Sequence, residues 1–172
     1  MAEASHVWVC PRGPGPLVMV RKALLASWRG VNASGTDRSD YARACGAGEI
    51  GAIEVKGGTV LVFGDDPLRT TWIARPRGGV LVRWVTAKDE AGALAALDAG
   101  ADSTWMPTGC TFSTAGGEHQ LFDAAEVGAE PSDERVKLEL LAGEYDIATA
   151  VLDRGDATVI AYRFLWRPPA RR

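Results

Sequence analysis

"VFGDDPLRTTWIA", residues 62–74, can be read as an acidic active site, as a metal site, or as a turn between two strands. Asp65 and Asp66 stand side by side, followed by Arg69 and two threonines. Asp side chains favour turns because they bond nearby backbone. Pro67 fixes its own φ and pushes Asp66 towards extended geometry. The runs on either side, "TVLVF" and "TTWIA", are rich in β-branched residues and read as strands. A loop between two strands therefore accounts for the composition. A metal site needs further oxygen or nitrogen ligands, and no partner motif supplies them. Loops often carry binding residues, so Asp65 and Asp66 stay candidates for contacts with a partner.

The same pattern of strand and turn extends outward. "GAIEVK" and "TVLVFG" flank Gly57-Gly58, and "TTWIA" and "GVLVRWV" flank "RPRGG", two hairpin signals. Towards the N-terminus, "HVWVC" and "PLVMV" read as short strands separated by "PRGPG". "RKALLASWRG" reads as a short helix ending at Gly30, and "SDYARACG" as a helical turn capped by Ser39 or Asp40. "AKDEAGALAALDAG" is the clearest helix: Leu94 and Leu97 share a face, and Gly100 ends it. "STWMP", "CTFST" and "HQLFDA" read as short strands, the last two joined at Gly116-Gly117. "VKLELL", "EYDIATAVL" and "TVIAYRFLW" are three more, with "RPPARR" as a tail. Many strands in hairpin-like succession with two or three short helices, and no long βαβ repeat, predict an α+β fold with mostly antiparallel sheet. One domain over residues 1–166 and a basic tail over 167–172 are expected.

Composition narrows the class. The chain has 172 residues, 47% hydrophobic and 24% charged, with a net charge of -3, which suits one folded domain and offers no general basic field for nucleic acid. The N-terminus lacks the apolar core of a signal peptide, and the apolar runs fall far short of the roughly 20 residues that cross a bilayer. A cytoplasmic protein is expected. Cys10, Cys45 and Cys110 lie far apart without a C-x-x-C pair, which argues against a disulfide framework or structural zinc and for three small hydrophobes. Six tryptophans are scattered along the chain, with core packing as their default. In "GVLVRWV", Trp84 alternates with Val82 and is expected to be largely buried. Arg83 on the other side suggests a face only partly covered.

Catalytic motifs are sparse. No G-x-S-x-G, H-E-x-x-H or G-x-x-x-x-G-K-[ST] occurs. His119 beside Glu118 has the chemistry of a base but reads more simply as a surface strand residue. Asp123 reads as a structural residue ending a strand. The glycine pairs at 57–58, 78–79 and 116–117 suit hairpins better than a phosphate cradle, since none directly opens a helix after a strand. The basic residues Arg69, Arg75, Arg77 and Arg83 lack the aromatic interleaving of a nucleic-acid face.

In order along the chain come "GPGPLVMV", "SWRG", "SDYARAC", "VLVFGDDPLRTTWI", "VLVRWV", "TFSTAGGEHQLFDAAEVGAE" and "LELLAGEYDIATAV". Together they resemble the immunity protein 21 family of bacterial polymorphic toxin systems, from about Trp8 to about Tyr162. The family tends to have Gly-Gly-Pro-Leu near its start, where here Pro14 interrupts the glycines before Pro16-Leu17. The resemblance implies a protein that binds a cognate toxin stoichiometrically and blocks it without catalysis, with no cofactor and no metal, and with no nucleic-acid or membrane partner. Acidic residues in polar connections are the expected contact points: Asp37, Asp40, Asp65, Asp66, Glu126, Glu130, Asp133 and Glu134. Two other classes stay open at this point. One is a hydrolase using Asp65, Asp66, Asp123 or His119; the other is a small-ligand-binding or self-associating scaffold.

Overall fold

The structure, a computed structural model, describes residues 6–33, 35, 38–64, 66–100 and 102–169. Its strands form two five-stranded sheets in which every pairing is antiparallel. The first sheet runs β2 (Ile50–Val55), β3 (Gly58–Phe63), β1 (Leu17–Arg21), β7 (Gly117–Asp123), β8 (Val136–Leu140). The second runs β4 (Arg69–Arg75), β5 (Gly78–Thr86), β10 (Ala157–Arg167), β9 (Gly143–Arg154), β6 (Met106–Thr114). Two short α-helices, α1 (Asp40–Cys45) and α2 (Glu90–Ala99), and a 3-10 turn (Lys22–Ser27) complete the α+β fold.

The uninterrupted apolar runs explain the layering. Antiparallel sheets commonly keep one wet face and alternate apolar with polar residues. In β1 and β3, both alternating sets are buried, so these strands must be covered on both sides. Leu17, Met19, Leu61 and Phe63 face the second sheet and meet Trp72, Leu81, Tyr145, Tyr162 and Phe164 in the central core. Val18, Val20, Val60 and Val62 face outward and are covered by Trp28, Ala44 and their neighbours from the 3-10 turn and α1. On the far side of the second sheet, Ala93, Ala96 and Leu97 of α2 pack on Ile73, Val82, Leu152, Val159 and Ala161. The result is helix, sheet, sheet, helix.

The capping follows the sequence. The Ser39 hydroxyl accepts from the Ala42 N–H and starts α1, and the Asp89 carboxylate accepts from the Gly92 N–H and starts α2. Lys56 and Gly57 both take positive φ, 39° and 80°, which makes the β2–β3 link a two-residue type I′ hairpin. Pro76 and Arg77 (φ 60°) turn β4 into β5.

Several expectations fail, each for a physical reason. "HVWVC" is no strand: only Val9 bridges, to Thr70, and the prolines that follow at 11 and 14 cannot donate to a ladder. The short helix expected in "RKALLASWRG" is present as a six-residue 3-10 helix that ends before Gly30, with the fully buried Trp28 just beyond it. "STWMP" and "CTFST" merge into β6, whose pairing with β9 slips between Pro107 and Thr111 around Gly109. Gly116-Gly117 is not a hairpin, because β6 and β7 lie in different sheets; it is a corner that carries the chain from one sheet to the other. Cys10 and Cys45 are exposed and Cys110 is half-buried, so only the last resembles a core hydrophobe. The expectation for Arg83 and Trp84 reverses. Arg83 is 2% exposed because its side faces the first sheet, whereas Trp84, on the outer face, packs against the α2 cluster and is only partly buried. Trp8 packs edge-on against the Trp84 indole and Arg69 stacks over it.

The registers sort all loops to two ends of the sandwich. Leu17 faces Phe63 and Asp123, and Phe63 also faces Ile50. The starts of β1, β2 and β8 therefore share one end with the exits of β3 and β7. Arg69 faces Trp84 and Asp153 faces Thr158, so the start of β4, the exit of β9 and the short 64–68 link belong to this same loop end. Gly57, Gly116, Leu141–Gly143 and Pro76 lie at the other, corner end.

Candidate protein-interaction surface

The "GDDP" stretch at the loop end is a connection between sheets, held from inside. The Asp66 N–H donates to the Gly64 carbonyl, and the Leu68 N–H donates to the Asp66 carbonyl. Arg83 reaches across from β5: its Nη1 donates to the Gly64 carbonyl at 3.0 Å and its Nη2 to the Asp66 carbonyl. The guanidinium fork thus fixes the turn through its backbone and leaves the Asp66 carboxylate exposed. Asp65 and Asp37 lie outside the described residues. Next to Arg83, the Tyr162 hydroxyl donates to Glu49 at 3.2 Å. Burial, with the nearby Glu49 charge, pushes the Tyr162 phenol above its ordinary pKa.

A second buried arginine organises the connection from β7 to β8. Arg135 donates to the carbonyls of Gly128 (2.9 Å) and Val127 (3.0 Å), to Gln120 and to Glu126, with its guanidinium 4.1 Å over Phe122. Asp123 ends β7, and its two oxygens accept from the Arg12 and Ala125 N–H groups, which is the structural role its position suggested.

The predicted acids therefore gather at one end but differ in occupation. Asp40 accepts from the Arg29 N–H and from Arg43, Glu126 is paired with Arg135, and Glu134 with Arg12. Among the described residues, no ion pair involves Asp66, Glu130 or Asp133, all three exposed.

His119 is not a surface residue. It is fully buried, and its ring is saturated. A carbonyl only accepts, so Nδ1–H donates to Gly117 at 2.8 Å; Nε2 then accepts from the Thr114 hydroxyl at 3.0 Å, whose oxygen accepts from the Gly116 N–H. Burial lowers the imidazole pKa below its ordinary value and keeps the ring neutral. Asp123 and His119 sit four residues apart on one strand, roughly 13 Å at the usual rise, and each is bonded into a different end of the sandwich. They do not form an acid–base pair. Among the described residues, no three His, Cys, Asp or Glu side chains converge in a metal-binding cluster. The basic cluster read from sequence also disperses: Arg83 is internal, Arg69 stacks on Trp84 at the loop end, and Arg77 lies over Trp166 at the corner end.

Of the two arginines that hold these loops, Arg83 reads from sequence only as a residue on a partly covered face, and Arg135 was passed over. A signal was present for Arg83: it occupies an inward position of an alternating apolar strand, where a guanidinium survives only with bonded partners. For Arg135, at the end of a polar run, no local signal marks burial.

The fold is an α+β sandwich that gathers carboxylate-bearing loops at one end and bonds Asp123 and His119 into separate backbone networks. A family model described as Immunity protein 21 matches residues 7–158, and the chain belongs to that family. No curated protein and no solved structure matches it. No helix among the described residues is long and apolar enough to cross a membrane.

Proposed function

We propose that this protein is the immunity partner of a bacterial polymorphic toxin, acting in the cytoplasm by stoichiometric, non-catalytic binding. Membership of the immunity family supports the role, and one geometric observation supports the place: the loop end gathers Asp40, Asp66, Glu126, Glu130, Asp133 and Glu134 from connections far apart in sequence. Asp37 and Asp65 belong to the same connections by sequence. Many toxins that attack nucleic acids carry basic clefts, and opposite potentials speed encounter and select the partner. The chain needs no metal or cofactor for this role.

The test is co-expression with the toxic domain encoded beside this chain. Growth should be restored and the two proteins should co-purify in a fixed ratio. Reversing Asp133 and Glu134 to lysine should weaken binding without unfolding the chain. Failure of the wild-type protein to bind or protect overturns the reading.

A further inference from the structure

The two sheets do not have equal lengths. Strands of the first sheet run 5–7 residues, whereas β9 and β10 run 12 and 11. At about 3.4 Å per residue the second sheet is longer by roughly 15 Å. At the corner end the excess is covered: the Trp166 indole N–H donates to the Ala142 carbonyl and the Tyr145 hydroxyl donates to the Leu141 carbonyl. At the loop end the first sheet stops at Glu49 and Gly64, which bond Tyr162 and Arg83. The inner face of the second sheet continues past that line. Ile160, the cross-strand partner of Arg83, also faces Val151, and Met106 faces Thr149, the partner of Tyr162. Cross-strand partners and every second residue share a face. Met106, Val151 and Ile160 therefore continue the surface that, further along, is the central core. Val151 is 64% exposed and Met106 60% exposed.

We propose that this overhang is the docking surface for the toxin, and that the toxin meets it with an apolar side chain flanked by lysines or arginines. The inference rests on the immunity reading and narrows its surface. Glu49, Asp66 and Asp153 border the overhang and are exposed, and no ion pair among the described residues involves them. An apolar centre inside a charged rim is the anatomy of a protein–protein contact. The rim decides the occupant. A second copy of this chain, docked by two-fold symmetry on the same patch, would set carboxylates against carboxylates. A basic partner surface meets the rim with opposite charge and leaves the apolar centre dry.

The experiment compares three forms of the full chain against a catalytically inactivated form of the toxin domain encoded beside it. These are the wild type, the double variant Met106→Asp/Val151→Asp, and Leu141→Asp, a control exposed at the corner end. Circular dichroism and thermal melting establish that each is folded. The double variant should bind at least 100-fold more weakly, and Leu141→Asp within about threefold of wild type. Glu49→Lys/Asp153→Lys should slow association about tenfold, with a weaker salt dependence, and gives a second reading should the aspartates disturb folding. Wild-type affinity in both the folded overhang variant and the rim variant overturns the overhang while leaving immunity standing. No toxin binding by the wild type overturns both. A wild-type dimer that the double variant dissolves, with toxin affinity unchanged, assigns the surface to a second copy and also overturns the proposal.

Discussion

At the corner end, the chain passes between sheets at Gly116 and Ala142, and a neutral histidine bonds the exit to its own backbone. At the loop end, the crossing at 64–68 and the long connection from β7 to β8 are held by the guanidiniums of Arg83 and Arg135, which bond carbonyl oxygens. Both ends satisfy backbone groups that would otherwise be buried unpaired. They differ in what is left over. At the corner end the neutral His119 shares the anchoring with Arg21, whose guanidinium donates to the Gly116 carbonyl at 2.7 Å. Cationic anchors that grip backbone carbonyls leave the Asp66 carboxylate turned to solvent, beside an uncovered stretch of sheet. Arg83 gives the 64–68 crossing rigidity and an outward carboxylate together, whereas Arg135 spends part of its charge on Glu126.

The largest expected effect tests the tight end. Gly116 has φ 80°, and a Cβ there would approach the Ala142 amide nitrogen to 2.6 Å. Left-handed strain and a backbone clash together predict that Gly116→Val costs about 3–5 kcal/mol in urea unfolding. A loss below about 1 kcal/mol would mean that the corner gives way, and the contrast between the ends would dissolve.

Next comes the anchor of the loop end. Arg83→Met keeps apolar volume but strands the carbonyls of Gly64 and Asp66, and should cost about 2–4 kcal/mol. Arg83→Lys should recover little, because one ammonium does not span two carbonyls as a fork does. Full rescue by lysine would show that charge alone, without geometry, holds the turn.

His119 separates the ends by pH. Its folded pKa lies below the ordinary 6.5, because burial disfavours the charged ring. The unfolded chain therefore takes up a proton that the folded chain refuses. The stability tied to this group is complete above about pH 6.5 and is lost as pH falls from there towards the folded pKa. His119→Gln should flatten that part of the stability–pH curve while costing about 1–2 kcal/mol at neutral pH. A variant with the wild-type slope between pH 6.5 and 5 would assign the acid sensitivity elsewhere.

Much of this contrast was legible beforehand. The turn at "GDDP", the hairpin at Gly57 and a helix start at Ser39 or Asp40 followed from local chemistry, because local hydrogen bonds fix them. The α+β class followed from the strand succession. The split into two sheets did not: whether Gly116-Gly117 makes a hairpin or a corner depends on which strand β6 finds, a contact set by Tyr145 and Phe112 far along the chain. His119 was misread for the same reason, since its burial comes from the corner around it. The acidic surface was visible as composition, but its sorting into paired and free carboxylates needed Arg12, Arg43 and Arg135 in space.

That sorting gives the smallest and sharpest test. Glu126 is held at 3.3 Å by an arginine whose side chain is 3% exposed, while its own side chain is 26% exposed. Asp133 is exposed with no ion pair among the described residues. Neutralising each without changing its shape isolates the charge. Glu126→Gln should cost about 1 kcal/mol of stability, because a buried guanidinium loses its counter-charge but keeps its carbonyl acceptors. Asp133→Asn should change stability by less than about 0.5 kcal/mol, as solvated surface groups do. If the carboxylates of the loop end serve a basic partner, the order inverts for association: Asp133→Asn should slow toxin capture at low salt, and Glu126→Gln, whose charge is spent internally, should slow it less. Equal stability costs for the two would mean that the Arg135 pairing confers nothing on the loop. Equal association rates would remove occupation by arginine as the criterion for which acids face the toxin.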